Sequence, residues 1–295
     1  MSAVLYDAPG PRARRRVLIA SVVATLALLA VAALVMLRLS DQGQFEGEKW
    51  SPIFNPGNEQ FGELWKFLLG GLWATLQAAF LAMLFSLIIG TLFAVTRISA
   101  APWYRWLVVS VIELLRGVPV VMAVFFASKV LPQFGIDLSL LWYLVIGLTA
   151  YNSVVIGEII RAGVQALPRG QTEAAYAIGL TRAKALRYIL LPQAFRIMLP
   201  ALISQLVVVV KDTSLGTFIS YSELLRRGGI AVQTLENPIQ MYLVVGVIFI
   251  VINYALSRLA VYVERRLSRG RKAIGAQAEQ EVAAVEQQST AALGA

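Results

Sequence analysis

Residues 68–96 read LLGGLWATLQAAFLAMLFSLIIGTLFAVT, 29 positions without one charged side chain, bounded by Lys66 and Arg97. A helix needs about 20 predominantly apolar residues to cross a hydrocarbon layer of roughly 30 Å, so this stretch is long enough to span a bilayer. Working outward from it, the same test picks out residues 17–37, 106–131, 140–160, 193–211 and 240–263. In hydrocarbon, backbone polar groups are satisfied within a helix or a closed barrel, and blocks of this length are helical. The sequence therefore predicts an all-α polytopic membrane protein with about six transmembrane helices.

Composition agrees. Hydrophobic residues make up 58% of the 295 positions and charged residues 15%, a balance that a soluble domain of this size cannot hide. The net charge is +9, yet the basic residues cluster at the ends of apolar blocks rather than along one face of a soluble module, so no nucleic-acid partner is expected. There is no cysteine and no histidine. Disulfides, the usual zinc and iron–sulfur ligand sets, Cys nucleophiles and His-based acid–base catalysis are thereby excluded, and the chain is not expected to be an enzyme or to bind a metal or cofactor.

The first apolar block follows Arg12, Arg14, Arg15 and Arg16, an arrangement shared with signal peptides. Its 21 residues from Val17 to Leu37 exceed a usual h-region, and Arg38 and Asp41 stand where small residues would mark cleavage. A retained helix at 17–39 is expected, after a basic cytoplasmic tail at 1–16. Loops counted for Lys and Arg then place both termini in the cytoplasm. Arg97 and Arg105, the group from Arg161 to Arg187, and the group from Arg265 to Lys272 fall inside, whereas residues 40–66 form an external connector with Asp41, Glu46, Glu48, Glu59 and Glu63 outweighing Lys49 and Lys66. Residues 67–266 are the transmembrane domain, with a cytoplasmic loop at 167–190. Residues 267–295 are expected to be a cytoplasmic tail, disordered or, over the Ala-, Gln- and Glu-rich stretch from 273, a frayed helix. The cell membrane is the expected location.

That cytoplasmic loop contains Leu167-Pro168-Arg169-Gly170-Gln171-Thr172-Glu173-Ala174-Ala175-Tyr176-Ala177-Ile178-Gly179-Leu180. It reads as a short surface helix. Pro168 and Gly170 break the preceding structure, Thr172 can cap the new helix, and Glu173 puts a negative charge near its positive end. Small Ala174, Ala175 and Ala177 let a partner's groove approach closely, and Gly179 marks a stop. The alternative is an amphipathic helix resting on lipid headgroups.

Glu173-Ala174-Ala175, then Gly179, then Ile189 and Leu191-Pro192 resemble the EAA signature of ABC importer permeases at its usual spacing. The resemblance runs from about Gly71 to Leu225 and narrows to permeases for polar amino acids. It is carried by Glu113-Leu114-Leu115-Arg116-Gly117-Val118-Pro119, Ala150-Tyr151-Asn152 through Glu158 to Arg161, Gly170-Gln171, Leu191-Pro192-Gln193-Ala194-Phe195-Arg196 and Lys211-Asp212-Thr213-Ser214-Leu215. The residues between Tyr151 and Glu158 resemble the glutamate-permease branch. The resemblance implies a five-helix permease core, to which this chain adds an N-terminal helix. It implies that Gln171, Glu173, Ala174, Ala175, Gly179, Leu191 and Pro192 couple to a cytoplasmic ABC ATPase dimer that uses ATP and Mg. A second permease subunit, identical or related, and an extracytoplasmic amino-acid-binding protein complete the implied assembly. The chain has no G-x-x-x-x-G-K-[ST] loop of its own.

A charge at the bilayer centre costs roughly 2.5–3.5 kcal/mol on insertion scales, so each one asks for a partner, a cavity or an interface. Glu113 with Arg116 and Glu158 with Arg161 are three apart and can pair on one helix face. The first pair precedes a bend expected at Pro119, where structural neutralisation is one reading and gating another. Asn152 lies six residues before Glu158, and the resemblance implies a pocket with an Asn and a Glu at this spacing; interhelical packing is the alternative. Lys211 and Thr213 either line the substrate path near an external gate or form an ordinary helix end, and Thr75 and Gln77 are weaker candidates. A zwitterionic amino acid needs both carboxylate and cationic partners. Alternating access powered by a separate ATPase is the expected mechanism, with a secondary amino acid transporter or channel as the rival.

Overall fold

The computed structural model describes residues 10–99 and 102–293, with side chains described over 10–98 and 104–266. Residues 1–9 of the basic tail and residues 294–295 lie outside the described residues. The described residues hold eleven α-helices and no strand: α1 (Pro11–Asp41), α2 (Gly47–Phe54), α3 (Phe61–Ser99), α4 (Pro102–Gly117), α5 (Val120–Val130), α6 (Leu140–Gln165), α7 (Arg169–Ala177), α8 (Arg182–Ala185), α9 (Leu191–Asp212), α10 (Leu224–Leu235) and α11 (Pro238–Leu293). Five segments are long and apolar enough to cross a membrane, at Pro11–Asp41, Phe61–Ile98, Leu140–Gln165, Arg182–Ile219 and Pro238–Arg266.

The span expected at 106–131 is not one straight helix. It is the pair α4 and α5, bent by 100°. Pro119 cannot donate a backbone N–H and pushes Val118 out of the helical region, so the ladder stops at Gly117 and restarts with Pro119 as the N-cap of α5. There the Pro119 carbonyl accepts from Met122 and Ala123 at 2.9 and 3.2 Å.

The core is built where small residues let helices meet. A Cβ on Gly90 of α3 would sit 2.7 Å from the Ser153 carbonyl oxygen of α6, and one on Gly157 would sit 3.1 Å from the Gly90 oxygen. Nearer the start of α6, a Cβ on Gly147 would lie 2.4 Å from Cα of Val124 in α5. Lipid offers no hydrophobic drive for helix association, so close backbone approach of this kind is what holds such a bundle. Around these crossings Leu144, Leu148, Ile156, Ile160, Ala194 and Val209 are buried in one cluster joining α6 to α9.

Three expectations change at the ends. The N-terminal helix starts at Pro11 rather than 17, which makes Arg12 to Arg16 its first turns, and none of its residues is buried. The external connector carries a helix of its own, α2, whose Ile53 is 1% exposed. The Asn237 and Gln240 amides pin that connector by donating to the carbonyls of Lys49 (3.1 Å) and Gln44 (2.6 Å), while the Trp65 indole donates to Ile53 (3.0 Å). A helix this short was invisible as a span and too polar around its edges to stand out. Finally, where a disordered tail or a frayed helix is expected, the backbone is helical to Leu293. The tail is proline-free and dominated by Ala, Gln and Glu, which favour helix.

Candidate coupling and translocation site

α7 begins three residues before its expected cap. Pro168, at φ −56° and ψ 136°, is the N-cap and supplies no side-chain bond. Thr172 is inside the helix and does not cap it, and Glu173 sits mid-helix rather than in the first turn. The reason is that Pro168 already fixes the φ from which a helix can start. The C-terminus closes as the Gly179 reading requires. Gly179 adopts φ +80°; its N–H donates to Tyr176 (2.9 Å) and the Leu180 N–H to Ala175 (3.1 Å), the crossed pair of a Schellman turn. Nothing lies within 4 Å of where a Gly179 Cβ would be, so Gly179→Ala tests the backbone alone. It is expected to cost about 1–2 kcal/mol of left-handed strain, and hydrogen exchange of the Gly179 and Leu180 amides should quicken by roughly five- to thirtyfold. An unchanged exchange rate would mean that the turn is not left-handed in solution.

Only Ala175 of α7 is buried. Gln171, Glu173, Ala174 and Ala177 are exposed, with Tyr176 at 45% and Ile178 at 74%. α7 is thus a small-residue knob that keeps an aromatic ring, an isoleucine and a carboxylate uncovered by its own chain. The path back to the membrane is jointed. Thr181 caps α8 by accepting from the Lys184 N–H (3.4 Å), residues Leu186–Leu190 form a π-helical turn, and α9 follows with Leu191 and Pro192 in its first turn. Pro192 has no N–H to give to the ordinary i−4 ladder, and a π turn is a known way to absorb such a break.

Within the membrane the structure separates residues that were expected together. Asn152 is 0% exposed; its amide donates to the Leu148 carbonyl (2.8 Å) and its oxygen accepts from Gln205 of α9 (2.8 Å). Glu158 points elsewhere. Its carboxylate accepts from Arg161 Nε and Nη2 at 2.8 and 2.7 Å and from Arg97 in the last turn of α3. Six residues at 100° each leave two side chains about 120° apart on a helix, which is why Asn152 and Glu158 do not share a face. Arg161 also donates to Gln165 (2.9 Å), and the three charged side chains are 23–31% exposed. Among the described residues no ion pair joins Glu113 to Arg116. Both are exposed on the surface of the chain. Lys211 is exposed while Thr213 is buried and donates to the Val210 carbonyl (2.7 Å); two residues apart on a helix they face away from each other.

Sequence reasoning missed the cluster around Glu223. Glu223 is 0% exposed and caps α10, accepting from the Leu225 and Arg226 N–H groups (2.8 and 2.7 Å) and from Thr217 (2.9 Å). Burial pushes its carboxyl up, against the downward pull of those donors. Thr75 of α3 accepts from the Leu224 N–H (3.1 Å), Tyr221 donates to the Ala74 carbonyl (3.1 Å) and Arg227 to that of Phe67 (2.8 Å). An acidic residue just before an amphipathic run was the available signal. Gln77 is exposed. Among the described residues no group of acidic side chains is arranged to hold a metal.

Residues 82–269 match the family model described as the inner membrane component of binding-protein-dependent transport systems. The chain belongs to that family. The permease is 40% identical over 237 residues to the glutamate transport system permease protein GluD of Corynebacterium glutamicum, covering 79% of this chain and 85% of that protein. It is 32% identical to the L-cystine transport system permease protein TcyB of Bacillus subtilis, covering 70% and 88%. A crystal structure of an amino acid ABC transporter with histidines superposes with a TM-score of 0.64 at 30% identity over 70% of the permease and 96% of that chain. An inward-facing MetNI methionine ABC transporter shares the fold, with a TM-score of 0.59 at 22% identity. The family match starts inside α3, so α1 and α2 of the permease lie ahead of it.

Proposed function

We propose that this permease carries a polar amino acid, glutamate foremost, by alternating access driven by a separate cytoplasmic ATPase. The observation that carries this reading is α7, a capped helix that exposes Glu173, Tyr176 and Ile178 beside a jointed return to α9. Such a helix has little apolar surface for lipid and a shape suited to a protein cleft. The 40% identity to a glutamate permease supports the substrate class. Two permeases, identical or related, two ATPases binding ATP and Mg, and an external binding protein make up the proposed assembly, with both permease termini cytoplasmic and the bent α4–α5 pair counted as one span. In this reading Glu158, paired with Arg97 and Arg161, and exposed Lys211 belong to the substrate path. Asn152 and Thr213 serve it from behind, through Gln205 and the backbone.

The test is uptake of labelled glutamate, glutamine and arginine into vesicles holding the permease, its ATPase and internal ATP, with binding protein outside. Uptake is expected only with ATP and ATPase together, with glutamate carried best. Equal uptake without ATPase would replace this reading with a secondary carrier.

A further inference from the structure

We infer that Gln193 is a positioning residue for coupling, holding α7 to the first turn of α9 through Gln171. This rests on the transport reading above. The Gln193 amide donates to Oε1 of Gln171 at 3.0 Å, across 22 residues of sequence. Along the chain, the route between the two helices runs through the left-handed Gly179, the four-residue α8 and the π turn at Leu186–Leu190. Each is a joint at which a displacement of α7 can be absorbed, because short helices and π turns have few ladder bonds to resist bending. The Gln171–Gln193 bond bypasses all three. Among the described residues it is the side-chain hydrogen bond that links α7 to a membrane-spanning helix. α9 then passes the motion inward, since its Gln205 is bonded to Asn152 of α6. Pro192 next to Gln193 gives this its mechanical sense: the ladder is already broken there, so the first turn of α9 needs a second anchor to move with α7.

Gln171 is exposed and Gln193 half-buried, and the bond between them lies at the surface, so replacing Gln193 leaves no fully buried group unsatisfied and the fold is expected to survive. In the vesicle system, Gln193→Ala should lower uptake per ATP hydrolysed by about two- to tenfold, the range one net hydrogen bond spans, while ATPase co-purification stays at the wild-type level. The double variant Gln171→Glu/Gln193→Lys, which restores a donor–acceptor pair across the same gap, should recover the ratio. An unchanged ratio in Gln193→Ala, or no recovery in the double variant, overturns the proposal. A second measurement does not depend on transport. The chain is free of cysteine, so spin labels at Ala177→Cys and Ala201→Cys report the α7–α9 distance in the permease alone. Gln193→Ala should broaden that distance distribution. An unchanged width overturns the positioning role even where uptake proves independent of ATP, the result that instead sinks the transport reading.

Discussion

Glu173→Arg is expected to bring ATP-driven uptake to background while the amount of inserted permease stays at the wild-type level. The two halves of that expectation come from different observations. Glu173 is exposed and, among the described residues, makes no side-chain hydrogen bond or ion pair. Replacing such a residue changes stability by no more than about 0.5 kcal/mol, with a small further cost from setting Arg beside Arg169 one helical turn away. The surface proposed to dock on the ATPase is another matter. Reversing a charge that becomes buried against a partner costs roughly 2–5 kcal/mol, a weakening of about thirtyfold or more at each ATPase contact. Uptake and ATPase co-purification should fall together. If uptake is indifferent to the change, α7 is not the docking element and lipid contact becomes the better account of it.

Gly147→Val is expected to remove most folded permease from detergent extracts, with Gly147→Ala intermediate. A Cβ at this position would lie 2.4 Å from Cα and 2.6 Å from the backbone N of Val124. Those are backbone atoms of a fully buried residue, and no rotamer change relieves them. α5 must move away from α6, and the contacts of Val124 and Leu148 in the core go with it. Overpacking usually costs about 1–3 kcal/mol; a clash with backbone belongs at the upper end. Fluorescence-detected size exclusion after a temperature series reads the loss directly. A wild-type melting profile for Gly147→Val would show that the two helices do not approach this closely.

The parts of the fold that could be read in the sequence are those where one physical term dominates. Residues 68–96 and 140–160 declare themselves because solvation by lipid tolerates nothing else, and the Gly117-Val118-Pro119 break is written in backbone chemistry, though not its angle. What escaped depends on tertiary contact. Arg97 meets Glu158 from 61 positions away, and no local pattern connects them. Gln205, the partner of Asn152, looks like any amide in an apolar helix. The Asn152–Glu158 expectation failed as geometry, since six residues are not a whole number of turns. At α7 the motif spacing identified the element, while its start was misplaced because Pro168 outweighed Thr172. α2 and α10 were hidden by length: eight and twelve residues of mixed polarity pass for loop until the partners that bury Ile53 and Glu223 are known.

No residue of α1 is buried against the rest of the chain, so no packing within the chain constrains its side chains. Leu, Val and Ala can trade places along it as long as reach and apolarity are kept, whereas a single added methyl group at position 147 of α6 is felt at once. Mutational drift in this molecule should be fast in the first helix and slow in the third crossing of the core, a gradient set by contact rather than by distance from the chemistry.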